Sequence, residues 1–575
     1  MSRIHLTLLA TAVAFALGSG CARQSETRAG APVEPDARDQ AVAAAKAEHR
    51  RRADAAARER HEAVAASETA AFAYAPPAAP PPPSPVMGIY QRMPEVNTEN
   101  YAAFEDNGIV RTADNPVSTF SIDVDTGSYS NVRRMLNGGR LPPKDAVRVE
   151  EMLNYFDYAY PAPASRQQPF ATRVELAPAP WDERRTLMHI GLKGYSVPAT
   201  EIPAANLVFL IDTSGSMYSE DKLPLLKQAF SQLVSRLRPQ DRVSIVAYAG
   251  SAGLVLPPTP GDRHGEILDA LNRLEAGGST NGGEGIELAY AVAKQAFIEN
   301  GVNRILLASD GDFNVGIYDP RALETRIEAG RKSGVAFSVL GFGGGNYNDA
   351  LAERLADVGN GNYAYIDNLM EARKVLVEEM GSTLLTIASD VKIQVEFNPA
   401  TVAEYRLVGY ENRTLAREDF NNDKVDAGEI GAGHDVTAVY ELCLHGMGCD
   451  SSDPLRYGSG PAATPHADEL AFLKLRYKRP GEENSVLVEQ PINRTQIRSA
   501  ASEDLRFAAA VIAFADLLRG GGTTGDFDWA RVEALARGAR GDDPWGYRGE
   551  FLQLVGMARS LSEARQPGVA AIHEE

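Results

Sequence analysis

The chain predicts a doubly wound α/β domain with a mostly parallel sheet, inserted in a β-rich platform built from its two flanks and followed by C-terminal helices. Three observations carry that prediction. Between Asn206 and about Thr383, apolar runs of strand length alternate strictly with segments of helical period. On both sides of that stretch the pattern turns strand-rich, so the flanks are expected to pair with each other. The first run of the alternating stretch, Leu207 to Met217 (LVFLIDTSGSM), is apolar without a break and then ends in an acid and two hydroxyls. That is the mark of a buried parallel strand delivering oxygen atoms onto its C-terminal loop.

In chain order, Arg3 precedes an apolar segment from Ile4 to Leu17, too short to span a membrane and of the length of a secretory signal. Gly18-Ser19-Gly20-Cys21 then resembles the bacterial lipobox, with Gly18 where that motif usually carries Leu. The resemblance implies a signal peptide over 1–20 and a lipidated Cys21, and Ala22 in place of Asp implies sorting to the outer membrane. A soluble secreted protein is the alternative. Residues 21–95 are rich in Ala, Arg, Glu and Pro and cannot build a core, so they read as a disordered or extended tether. Residues 96–200 form a small α+β region, with strands expected at Ser118–Val124, Ala171–Leu176 and Thr186–Leu192 and helices at Tyr129–Leu136 and Val147–Tyr158.

Within 201–385 the expected strands are Leu207–Asp212, Arg242–Tyr248, Gly253–Leu256, Arg304–Ser309, Val335–Phe342 and Asn362–Ile366. Helices lie between them, and one closing helix is expected over Leu369–Leu384. Residues 386–575 carry strands at Val391–Phe397, Val436–Leu442, Ala471–Tyr477 and Ser485–Val488, then helices from Glu503, Trp529 and Tyr547. The shared platform requires a sheet that joins Ala171–Leu192 to Val391–Leu442.

Three loops at the C-terminal edge of the α/β sheet carry oxygen ligands: Asp212, Ser214 and Ser216; Thr280 in a glycine-rich turn; and Asp310. Oxygens without nitrogen or sulfur favour a hard cation, Mg²⁺ first, with Ca²⁺ or Mn²⁺ as alternatives. Neutral hydroxyls leave such an ion electron-poor and open to an outside acid. Asp-x-Ser-x-Ser taken alone also reads as a helix cap. Together with Thr280 and Asp310, the pattern resembles the metal-ion-dependent adhesion site of von Willebrand factor type A domains. That resemblance implies that the Ser and Thr hydroxyls contact the cation, that the two Asp residues act through water, and that a partner's carboxylate completes the shell. The flanking phrases Asp310–Gly316 and Asn421–Gly433 further resemble bacterial von Willebrand factor A lipoproteins whose flanking regions have no assigned role.

Other signals are weaker. Cys443 and Cys449 read as a disulfide in an oxidising compartment, since zinc would need further ligands and only His445 is near. Asp125-Thr-Gly-Ser128 is the tetrad of aspartic proteases but has no second copy, so it reads as a strand-to-helix turn with Ser128 or Ser130 as a cap. Glu284 and Asp312 read as solvated acids. The acids of the 421–433 stretch do not fit an EF-hand and read as a turn. A net charge of −19 argues against nucleic acid as a partner.

The expectation is a non-enzymatic, lipid-anchored envelope protein that captures a carboxylate on a protein or polymer through a divalent cation. The alternatives are an assembly or regulatory adaptor and a hydrolase hidden in the flanks. The closing helix runs straight into the C-terminal flank and so could pass ligand occupancy to the platform.

Overall fold

The computed structural model describes residues 99–564 apart from 123–124, 199, 250–251, 279–281, 312–319, 346, 380, 382–383, 426 and 452–465. The segments expected as signal peptide and tether, with Cys21, therefore lie outside the described residues, as do Thr280 and Asp312.

The N-terminal flank contributes β1 (Val110–Arg111), β2 (Val117–Ser121), helices Gly127–Asn137 and Val149–Asn154, and a long hairpin of β3 (Phe170–Ala179) and β4 (Asp182–Gly194). The hairpin follows from period-two alternation. Leu176, Met188, Ile190 and Leu192 enter one core, whereas Ala177 and Leu187 enter another on the opposite face. The helix expected at Val147 is delayed by a 3₁₀ turn at Lys144–Ala146. The serine cap expected at the Asp125–Ser128 turn is not used. The amide of Ser128 donates instead to Glu151 at 2.7 Å, while the Ser128 hydroxyl donates to the Ala146 carbonyl.

The α/β domain contains β5 (Ala205–Asp212), β6 (Arg242–Tyr248), β7 (Ala252–Pro260), β8 (Val302–Ser309), β9 (Ala336–Phe342) and β10 (Tyr363–Ile366). Their order is β10-β9-β8-β5-β6-β7, parallel except for β7, which folds back antiparallel on β6. The unbroken apolar run of β5 is explained by burial on both sides. Phe209 and Ile211 pack toward helix Leu223–Val234, and Val208 and Leu210 toward helix Gly282–Gln295. Because β6 lies on one side of β5 and β8 on the other, the chain reverses its winding at β5. A crevice opens at such a point, at the carboxyl ends of the strands.

The C-terminal flank adds β11 (Thr386–Phe397), β12 (Val402–Val408), β13 (Gly428–Gly431), β14 (Asp435–Leu444), β15 (Glu469–Lys478) and β16 (Val486–Asn493). Helices Glu503–Leu518, Trp529–Gly538 and Tyr547–Ala564 follow. The two flanks share sheets as expected, but there are two sheets. One has the order β1-β12-β14-β4-β3. The other has the order β13-β11-β15-β16, with β2 lying on the same edge of β11 as β13. The sheets face each other across a common core that includes Phe120, Ile190, Phe397 and Tyr440. The C-terminal helices cover the outer face of the first sheet, with Phe507, Phe514 and Phe551 packed beside Tyr155 and Phe156. Cys443 and Cys449 form a disulfide that closes the loop after β14.

The expected closing helix is interrupted. Leu369–Arg373 is α-helical, a π-turn at Lys374–Glu378 follows it, and Gly381 and Leu384 are helical again. The positions that would form its apolar stripe are shared with buried polar groups. Glu371 and Lys374 are sealed inside the protein with their partners, beside Ala372, Val375 and Leu376, which pack into the core of the α/β domain.

Candidate metal centre

Asp212 is the last residue of β5, and Asp310 follows the last residue of the neighbouring β8. Parallel register therefore brings both carboxylates to one end of the sheet, and both are fully buried. The amide of Ser214 donates to Asp212 Oδ1 at 2.9 Å, bending the loop back over the strand end. That bend places the Ser214 and Ser216 hydroxyls 3.0 Å apart. The glycine-rich loop is tied to this turn two residues before Thr280. Gly215 donates to the Gly278 carbonyl at 3.1 Å, and Gly277 donates to that of Thr213 at 2.8 Å. Thr280 itself is outside the described residues.

The two acids differ in their surroundings. Asp212 Oδ2 accepts hydrogen bonds from Ser309 at 3.0 Å and from the Tyr248 hydroxyl at 3.4 Å. Burial, with Asp310 nearby adding to it, pushes the Asp212 carboxyl up to about 6. Asp310 Oδ2 meets the Lys222 ammonium at 2.9 Å. The lysine stem lies against Gly343, where a Cβ would come within 2.4 Å of Lys222 Cγ; the glycine-rich end of β9 makes room for it.

The donor set fits a hard cation. Two neutral hydroxyls face each other, while both oxygens of Asp212 already accept hydrogen bonds, which suits a carboxylate acting at one remove. No group of three or more His, Cys, Asp or Glu side chains is gathered among the described residues, so a soft or nitrogen-rich site is absent there.

Sequence reasoning missed Lys222, Ser309 and Tyr248. Ser309 and Tyr248 could have been found as polar residues that end buried strands. Glu284 is exposed, in keeping with a solvated acid.

The remaining motifs are tied up within the fold. Asp125 accepts the amide of Tyr363 at 3.1 Å and the Arg413 guanidinium at 3.3 Å, joining the N-terminal flank to β10. Asp423 accepts from Ser485 at 2.6 Å and Glu429 from Thr386 at 3.1 Å.

Three family models match the chain. One described as von Willebrand factor type A domain covers residues 207–312, one described as von Willebrand factor covers 95–189, and one for the C-terminal part of the uncharacterized protein YfbK covers 382–561. The chain is 51% identical over 477 residues to YfbK of Escherichia coli K12, an alignment that takes in 82% of each protein. It is 23% identical to human inter-alpha-trypsin inhibitor heavy chain H3 over 263 residues, 42% of this chain and 29% of that one. A von Willebrand factor type A structure from Catenulispora acidiphila aligns with a TM-score of 0.38 at 18% identity, covering 67% of this chain and 89% of that one.

Proposed function

The chain belongs to the family of bacterial von Willebrand factor type A proteins that includes Escherichia coli YfbK, and from that premise we propose that it is a metal-dependent binding module of the cell envelope. Domains of this type suit it to protein interaction. In our reading the ligand is a carboxylate on a protein or polymer partner, the cation is Mg²⁺, and the molecule is tethered to the outer membrane through Cys21 and catalyses no reaction.

The observation that carries this reading is the pair of hydroxyls of Ser214 and Ser216, 3.0 Å apart, above two buried carboxylates at the reversal point of the sheet. Ser214, Ser216 and Thr280 would hold the cation, with Asp212 and Asp310 behind them. A bound Mg²⁺ supplies a Lewis-acid position that an external carboxylate completes. The chain's own residues do the rest. Asp212 fixes the turn by accepting the Ser214 amide, Ser309 fixes Asp212, and Lys222 cancels one of the two negative charges. Fewer negative charges in the pocket leave more of the cation's charge for the partner.

Pulldown from envelope extracts tests this. Wild-type protein should retain a partner in Mg²⁺ and release it in EDTA, while Asp212→Ala retains none. A partner held equally by both proteins refutes the mechanism.

A further inference from the structure

Away from the metal centre, the end of the closing segment meets both flanks around a cavity of about 530 Å³. That volume is in the range of small-molecule sites. Its walls come from distant parts of the chain. Asp157 follows helix Val149–Asn154, and Lys193 is near the end of β4. Lys374, Glu378 and Glu379 belong to the π-turn and its exit, His434 and Asp435 enter β14, and Trp545 and Tyr547 begin the last helix. A π-turn adjoining an α-helix often marks a functional site.

Most of the polar groups here are occupied. Asp435 pairs with Lys193 at 2.7 Å and accepts the Tyr158 amide at 3.1 Å. Glu379 pairs with Lys374, whose ammonium also lies 4.7 Å from the Tyr155 ring centre. Glu378 accepts the Tyr547 hydroxyl at 2.8 Å and faces Arg373 at 3.0 Å.

One carboxylate remains among the described residues. The Asp157 side chain is exposed, and no hydrogen bond or ion pair engages its carboxylate among the described residues. His434 Nε2 is sealed from solvent without a partner. Burial holds this imidazole at about 4, so it is neutral at physiological pH and adds no positive charge to the cavity. The lining carries four carboxylates against two lysines, and both lysines are already paired. An anion entering here would find no unpaired cation. A cationic donor would find the Asp157 carboxylate and the half-exposed Trp545 ring, over which the Arg373 guanidinium already lies 4.5 Å from the ring centre.

We propose that this cavity binds a small alkylammonium group, with Asp157 holding the charge and Trp545 and Tyr547 flanking the alkyl chain. The site is independent of the metal centre.

Calorimetric titration of the full chain tests it with cadaverine as a free amine and Nα-acetyl-lysine methylamide as a peptide lysine. Glutarate and 1,5-pentanediol serve as anionic and neutral matches. At least one cation should bind saturably with a Kd on the order of 1 mM or tighter, and glutarate and the diol should give no saturable heat. Asp157→Asn, at an exposed position, should keep the wild-type melting temperature and weaken the cation about tenfold, the size of one charge-assisted hydrogen bond. Asp212→Ala should leave the titration unchanged. Which cation binds more tightly tells a free amine from a protein lysine, and either result upholds the ammonium chemistry. Saturation by neither cation, equal binding of glutarate, or an Asp157→Asn protein that binds like wild type would overturn the assignment.

Discussion

Lys222 is the residue that most alters what the proposed metal centre asks of its ligands. Its ammonium sits 2.9 Å from Asp310 Oδ2 in a buried setting, so one of the two carboxylates is already neutralised from within the protein. Lys222→Met should therefore act with opposite signs in two conditions. In EDTA the variant should be less stable by about 2 kcal/mol, because two buried carboxylates are left to repel each other. In Mg²⁺ or Mn²⁺ it should bind the cation roughly tenfold more tightly, since the cation no longer competes with an ammonium. Thermal melts and calorimetric titration read the two effects separately. Asp212, Ser214, Ser216 and Asp310 were legible in the sequence because each stands at or just past the end of a buried apolar run, where a polar residue is conspicuous. Lys222 was not. It is one of 58 Lys and Arg residues in the chain, and only the glycine-lined path past Gly343 reveals where it goes.

At the scale of elements, the segment Leu369–Glu378 is held by charge as well as by the apolar packing of Ala372, Val375 and Leu376. Arg133, on helix Gly127–Asn137, reaches Glu371 at 2.7 Å and pairs with Asp367 just before the segment. The same guanidinium meets Glu550 of the last helix at 3.0 Å and the Tyr155 hydroxyl at 2.9 Å. One arginine thus binds the N-terminal flank, the α/β domain and the C-terminal helices at a single point. Truncating it strands two buried carboxylates, so Arg133→Met should lose about 3–5 kcal/mol in urea denaturation. Adding Glu371→Gln to that variant should recover part of the loss, whereas Glu371→Gln alone should not stabilise the protein. The π-turn in the closing helix was invisible in the sequence because Leu369, Ala372, Val375 and Leu376 keep helical spacing across it. Glu371 and Lys374 are buried beside it, and their partners lie more than two hundred residues earlier in the chain or on the π-turn's own exit.

At the scale of the whole molecule, the α/β domain has its own two cores, whereas neither flank has a complete one. β4 needs β14, and β2 needs β11. Removing residues 386–575 should therefore leave 205–366 protected in hydrogen exchange while 110–194 exchanges freely and becomes sensitive to protease. Protection of β3 and β4 in that truncated chain would show that the hairpin stands alone. That the flanks pair was legible, because strand-rich sequence stood on both sides of an alternating α/β stretch. That they form two facing sheets was not. The short strands β1, β12 and β13 carry little periodic signal, and only the register along β11, split between β2 and β13, shows how two strands share one edge.

The pairing of β4 with β14 also sets a timetable. Lys193 meets Asp435, so the edge of β4 waits while more than two hundred further residues are made. At about 5–20 residues per second, that interval is on the order of 10–50 s. For that time the β3–β4 hairpin carries an open, largely apolar edge, the kind of edge that recruits other strands. A newborn chain of this protein is therefore most exposed to misassembly before its C-terminal flank arrives, and the α/β domain in between can fold while the hairpin waits.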